Sequence, residues 1–237
     1  MNSHDTAVIV GLGNVALDVA RILLTPVDIL RKTDITEEAL EMLNQSTIKN
    51  VYIVGRRGPL HVSFTIKGIF LSIYRFINIT ICVFSYAPYI DMFQLIMLLI
   101  VELREMVNLE GARPNFKTSD YHGLTDVIPT LVRPRKRLTE LLVKSALGTP
   151  NEKQEILWSK GSRNWFLKLL RTPMEIISAD GNTVSGIKLG INELVPKGNC
   201  DENQHVADTG VTETIDCGLV LRSIGYKSIG KCSYMGK

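Results

Sequence analysis

Residues 6–24 read TAVIVGLGNVALDVARILL, and a change of period inside them decides the fold class. Thr6 to Val10 is an unbroken apolar run rich in β-branched side chains. A strand wetted on one face would alternate, so this run predicts a parallel strand covered on both faces. From Asn14 onward, Val15, Ala16, Val19, Ala20, Leu23 and Leu24 recur at three- and four-residue spacing, the mark of a helix with one apolar face. Pro26 ends or interrupts that helix. Asp34 and Glu37 stand at capping-box spacing and predict a second helix over about Ile35 to Ser46. NVYIV at Asn50 to Val54 is a second buried-strand run, stopped by Gly55. Strand, helix, helix and strand make a βαβ unit with an enlarged crossover, which predicts an α/β protein with a doubly wound parallel sheet.

The C-terminal third has a different rhythm. Met174 to Ser178 and Val184 to Leu194 flank Asp180-Gly181-Asn182, a hairpin turn signal, and predict an added antiparallel β element. Asn199 to Thr214 is polar and reads as a loop. Cys217 to Ile224 (CGLVLRSI) returns as a core strand closed by Gly225. There is no internal repeat.

Composition narrows the function classes. The 237 residues are 45% hydrophobic and 22% charged, with a net charge of only +3, so bulk charge does not point to a nucleic-acid partner. Cys82, Cys200, Cys217 and Cys232 form no CxxC pair and no zinc-type spacing with histidine, which favours ordinary thiols in a reduced compartment and no metal site. Met1 to Asp5 runs straight into the first strand without the character of a signal or transit segment.

The chemistry sits where the two strands end. Gly11-Leu12-Gly13-Asn14-Val15-Ala16 is a GxGxxA turn between strand and helix. In such a turn the first glycine allows the tight bend and the second lets backbone approach a pyrophosphate. The small third residue brings helix and strand close. The helix N-terminus adds N–H donors and a positive dipole end. An NAD site presents an acidic residue after the second strand, whereas this chain presents Gly55-Arg56-Arg57-Gly58. Two guanidinium groups suit the 2′-phosphate of NADP, through charge-assisted bonds worth about 1.5–3 kcal/mol each.

Several runs together resemble one family. They are TAVIVGLGNVALDVARILL, VGRRGPLHVSFTIK (54–67), ELREM (102–106), RPRKRLTELL (133–142) and GLVLRSIGYKS (218–228). These are similar to ferredoxin reductases of the mitochondrial adrenodoxin-reductase type. That resemblance implies a Rossmann-like NADP-binding domain set within a glutathione-reductase-type flavoprotein. It implies NADP and FAD as cofactors, a [2Fe–2S] ferredoxin as partner and the mitochondrial matrix as location. It places the pyrophosphate on Leu12, Gly13, Asn14 and Val15, the 2′-phosphate on Arg56 and Arg57, and a further NADP contact on Glu102. Leu12 departs from the family, where glutamine is usual. Arg133, Arg135, Lys136 and Arg137 match a ferredoxin-facing surface, where clustered cations raise the association rate. No residue of this chain is assigned a catalytic role, because in this family the flavin carries the redox chemistry.

Two departures from the family shape the domain reading. The NADP-binding domain is expected at 1–67 and 102–228, with an unrelated tail at 229–237, the FAD domain largely missing and the chain inactive alone. Residues 68–101 (GIFLSIYRFINITICVFSYAPYIDMFQLIMLLIV) separate Lys67 from Glu102, which the family keeps adjacent. A membrane helix needs about 20 consecutive apolar residues, and the longest uncharged run, Phe76 to Ile90, is shorter and holds Asn78 and Pro88. No genuine membrane span is expected. The preferred reading is a retained intron or gene-model error, translated in frame. The rival functions are a stand-alone NADP-binding regulatory module, a glutamate-synthase-type flavoprotein fragment, and a membrane-anchored binding protein.

Overall fold

A computed structural model describes residues 4–62, 103–133, 135–195 and 204–224. Strand β1 (Thr6–Val10) is an inner strand of a parallel sheet. On one side it pairs with β2 (Asn50–Val54), in register from Thr6↔Asn50 to Val10↔Val54. On the other side it pairs with the last strand, β8 (Leu219–Arg222). Beyond β2 lie β4 (Arg163–Lys168) and then β3 (Ala112–Phe116), all parallel, giving the order β3-β4-β2-β1-β8. Strands β5 (Arg171–Ser178), β6 (Val184–Val195) and β7 (His205–Asp216) form a separate antiparallel sheet.

The apolar run of β1 is explained by what covers each face. Ala7 and Ile9 are buried with Ala16, Leu17, Ala20 and Leu24 of helix α1 (Asn14–Leu24). Val8 and Val10 point the other way, into a second cluster with Ile187, Leu189 and Ile215 of the antiparallel sheet. The parallel sheet therefore lies between helices on one face and a β-meander on the other. Each buried aliphatic side chain contributes roughly 1.5–3 kcal/mol, so a charge anywhere from Ala7 to Val10 would be costly.

The crossover holds two helices, α2 (Val27–Leu30), which starts directly after Pro26, and α3 (Glu37–Asn44). The predicted cap at Asp34 is corrected: Thr36 caps α3, its hydroxyl accepting the Ala39 N–H at 3.4 Å. Hydrogen bonds from Lys32 to Ile29 and from Thr33 to Leu30 wind the chain into a turn that closes α2. The next helix starts only after the extended Thr36, leaving it shorter than the predicted span.

The loop expected at Asn199 to Thr214 is also corrected. From His205 onward the chain is β7, which pairs with β6 from Val195↔His205 to Gly186↔Asp216. Most of β7 is exposed, so its composition is polar, and ladder pairing rather than burial makes it a strand. Strands β3 and β4 and the helices α4 (Leu124–Val127), α5 (Arg135–Leu147) and α6 (Glu152–Trp158) are present in addition to the elements that the sequence predicts. Hydrophobic residues 68–101 fall outside the described residues. No helix among the described residues is long and apolar enough to cross a membrane.

Candidate functional site

The carboxyl ends of β1, β2 and β8 meet around one cleft of about 640 Å³, lined by Gly11, Leu12, Gly13, Gly55, Arg56, Arg57, Thr172 and Ser223 among others. Strand order reverses direction at β1, whose neighbours are β2 on one side and β8 on the other, and this is where open α/β sheets place their ligands. Among the described residues, no group of three His, Cys, Asp or Glu side chains is placed to hold a metal ion.

The two glycines of the turn serve different ends. Gly11 has φ +142°, and its N–H donates to the Val54 carbonyl at 2.8 Å. A Cβ there would lie 2.0 Å from the Ser223 carbonyl oxygen, so glycine is required for β8 to close against the turn. Gly13 caps α1 with an ordinary extended backbone, φ −110° and ψ 172°. Among the described residues beyond its chain neighbours, a Cβ on Gly13 would meet no atom within 4 Å, so this backbone is open to a close approach from the cleft. Behind it stand the N–H groups of Asn14 and Val15, at the helix end where the ladder supplies no acceptor, while those of Ala16 and Leu17 donate to the Gly13 carbonyl. No acidic side chain in that turn offsets the positive dipole end. The Oδ1 of Asn14 is buried without a hydrogen-bond partner among the described residues. Ala16 is fully buried, which lets α1 lie close to β1, while Val15 is largely exposed.

Leu12 serves the loop in a way its sequence position does not reveal. Its side chain packs directly over Gly55, where a Cβ would lie 2.1 Å from Leu12 Cγ. An apolar residue fits that contact, so the departure from glutamine leaves the turn intact and ties it to the arginine loop. Arg56 and Arg57 are both exposed and line the cleft. Among the described residues neither makes an ion pair. The opening continues past them into a second hollow of about 550 Å³ over the antiparallel sheet, lined by Thr172, Met174, Gly190, Asn192 and Asp208.

The corner from β4 to β5 supports the arginine loop from below. Leu170 adopts φ +55°, strained for a leucine, and lets the chain turn from the parallel to the antiparallel sheet. The buried Arg171 fixes this corner, donating to Glu213 Oε1 at 2.8 Å and to the carbonyls of Leu169 and Leu170. Lys168 donates to the same Glu213 oxygen at 3.0 Å. Burial pushes the Glu213 carboxyl up, but the bonds from Lys168 and Arg171 outweigh it and hold the group below its ordinary value.

The second basic cluster lies elsewhere, at the start of α5. Arg133 is exposed, and Arg135, Lys136 and Arg137 are half-buried. Cations at a helix N-terminus oppose the dipole, so α5 itself gains nothing from them. Arg135 is partly engaged, its guanidinium donating to the Val62 carbonyl at 3.1 Å. Glu102 falls outside the described residues. Thr172, Asn192 and Ser223 belong to the site without having been legible in the sequence, because β5, β6 and β8 are brought to it only by folding.

Comparison with known proteins agrees with this geometry. The chain is 45% identical over 228 residues to the mitochondrial NADPH:adrenodoxin oxidoreductase of Salvelinus fontinalis, covering 96% of this chain and 38% of that protein. It is 45% identical over 227 residues to the Bos taurus protein of the same name, covering 95% and 39%. The Homo sapiens protein is 44% identical over 227 residues, again covering 95% and 39%. Among solved structures, Mycobacterium tuberculosis FprA in complex with NADPH superposes with a TM-score of 0.69 at 33% identity, over 98% of this chain and 41% of that one. No family model matches the chain. The chain thus spans about two fifths of the length of these relatives.

Proposed function

We propose that this chain is the NADP-binding part of a mitochondrial-matrix reductase that passes electrons from NADPH to a [2Fe–2S] ferredoxin of the adrenodoxin type. The observation that carries the reading is one cleft joining an open Gly13 backbone at a helix N-terminus to two arginines without ion-pair partners among the described residues. That cleft occurs in a chain 44–45% identical to proteins named NADPH:adrenodoxin oxidoreductase.

In this reading the backbone of Leu12, Gly13, Asn14 and Val15 receives the pyrophosphate, with Ala16 keeping the helix close. Arg56 and Arg57 receive the 2′-phosphate. FAD, carried by the remainder of such a protein, supplies the conversion from a two-electron donor to single-electron transfer. Arg133, Lys136 and Arg137 steer an acidic ferredoxin, while Arg135 divides its charge between docking and the Val62 carbonyl. The NADP domain comprises 1–67 and 102–228, and 68–101 is a retained intron or gene-model error. Sequencing the mature transcript tests that boundary, and an abundant spliced message encoding all 34 residues would refute it.

The functional test joins the chain to the flanking sequence of its gene and measures ferredoxin-dependent cytochrome c reduction. Activity with NADPH, an absorbance band near 450 nm from bound flavin and a selective loss of NADPH use in Arg56→Ala are expected. Equal loss with NADPH and NADH, or no loss, would overturn the 2′-phosphate assignment.

A further inference from the structure

The loop that carries the two arginines is held by three consecutive carbonyl groups. The Gly55 carbonyl accepts the Arg171 N–H at 2.9 Å, and the Arg57 carbonyl accepts the Leu170 N–H at 3.2 Å. Between them, the Arg56 carbonyl accepts Nδ2 of Asn192 at 3.3 Å. Two of these donors are backbone groups that any sequence would supply. The third is a side chain.

Asn192 is 6% exposed, an expensive place for a primary amide unless its hydrogens are used. Its second Nδ2 hydrogen goes to Thr172 Oγ1 at 2.7 Å, and its own N–H donates to the Leu170 carbonyl at 2.9 Å. The β6–β7 ladder shifts register between Gly190 and Asn192. There β7 bulges, with Gly210 at φ +74° and Thr209 Oγ1 donating to the Ile191 carbonyl at 2.6 Å. Two residues further on, Leu194 packs against Gly58, where a Cβ would lie 3.0 Å from its Cδ1. Strand β6 therefore braces both the middle and the end of the Gly55–Gly58 loop.

We infer that Asn192 is a positioning residue for cofactor choice: by holding the Arg56 peptide it presents the arginine pair to the 2′-phosphate and so sets the preference for NADP over NAD. The inference rests on the proposed NADP site. Recognition by a guanidinium demands placement within about 0.5 Å and 10–20°. An arginine side chain is a long lever, so a small rotation of its peptide carries the guanidinium out of that range. The pyrophosphate loop has its own anchor in the Gly11 to Val54 bond, so loss of the Asn192 amide leaves the part of the site common to both cofactors in place.

The experiment measures calorimetric affinities of the full chain for NADP+ and NAD+ in the wild type, Asn192→Ala, Asn192→Leu and Arg56→Ala. Both Asn192 variants should weaken NADP+ roughly five- to tenfold, the effect of one lost hydrogen bond. NAD+ affinity should change less than about twofold, within the spread of an unperturbed site. Asn192→Leu keeps the side-chain size, so a selective loss in Asn192→Ala alone would show that packing rather than the donor matters and would overturn the inference. Equal losses for both cofactors, or none, would overturn it too. Arg56→Ala separates the two readings. If it is selective and the Asn192 variants are not, only this inference fails; if it is not selective, the phosphate site fails and the inference with it.

Discussion

Alanine at Gly11 and alanine at Gly13, two residues apart in one turn, should fail in opposite ways. At Gly11 a Cβ would lie 2.0 Å from the Ser223 carbonyl oxygen, and real contacts of this kind are essentially never under 3.0 Å, so β8 must retreat by about 1 Å. The Ser223 N–H to Val10 carbonyl bond at 2.7 Å, the last rung joining β8 to β1, lies directly in the path of that shift. Losing it costs about 0.5–1.5 kcal/mol, the φ of +142° costs an alanine a further 1–3 kcal/mol, and residual crowding adds a similar amount. A destabilisation of roughly 4 kcal/mol should lower the urea midpoint by about 2 M at a slope near 2 kcal/mol/M. At Gly13 the backbone suits alanine and the methyl meets no atom of the described residues beyond its chain neighbours within 4 Å, so stability should change by less than about 1 kcal/mol. The methyl instead occupies the approach of the pyrophosphate and should weaken NADP+ more than about tenfold. Tryptophan-fluorescence unfolding paired with calorimetric NADP+ titration reads both quantities. Equal destabilisation by the two variants, or wild-type NADP+ affinity in Gly13→Ala, would refute the division of labour.

Three further outcomes follow from other parts of the molecule. Glu213→Gln leaves the buried Arg171 facing a neutral partner and should cost about 2 kcal/mol at neutral pH. The Glu213 carboxyl titrates below its ordinary value of 4.5 in the folded chain, so its contribution is full above that pH and lost as pH falls through the folded value. Acid unfolding curves of the two proteins should therefore converge below pH 4.5. Burial, and then Asp216, push the Cys217 thiol up to about 11, so site-resolved maleimide labelling at pH 8 should leave Cys217 unmodified until the chain unfolds. On the reading proposed above, charge reversal at Arg133 and Lys136 should lower the ferredoxin kcat/KM of the protein joined to its flanking sequence, in a salt-dependent way and at unchanged stability. Arg135→Ala should instead lower the unfolding midpoint, because Val62 loses its donor.

The turn at 11–16 was legible because its meaning is local. Glycine spacing and a switch from strand to helix period can be read within a dozen residues, and β1, α1 and β2 form where that reading puts them. The arginine pair was legible for the same reason, since it follows β2 directly. Strand β7 was misread because its residues face water and gain their structure from β6, at a distance in the chain that composition does not register. Strand β3 has its apolar run broken by Arg113, Pro114 and Asn115, and the apolar part of β4 is only Trp165 to Leu167, too short to announce a strand by itself.

By itself, then, the sequence determined that a dinucleotide-type turn exists, that two cations follow the second strand, and which family the chain resembles. Only the tertiary structure decided how these parts become one site. It brought Ser223 against Gly11, laid Leu12 across Gly55 and put the Asn192 amide beneath Arg56. The physical reason is that a turn is specified by the backbone freedom of its own residues. The support of a binding loop comes instead from hydrogen bonds and contacts between strands up to 212 positions apart, as with Gly11 and Ser223, and only the closed sheet brings those together.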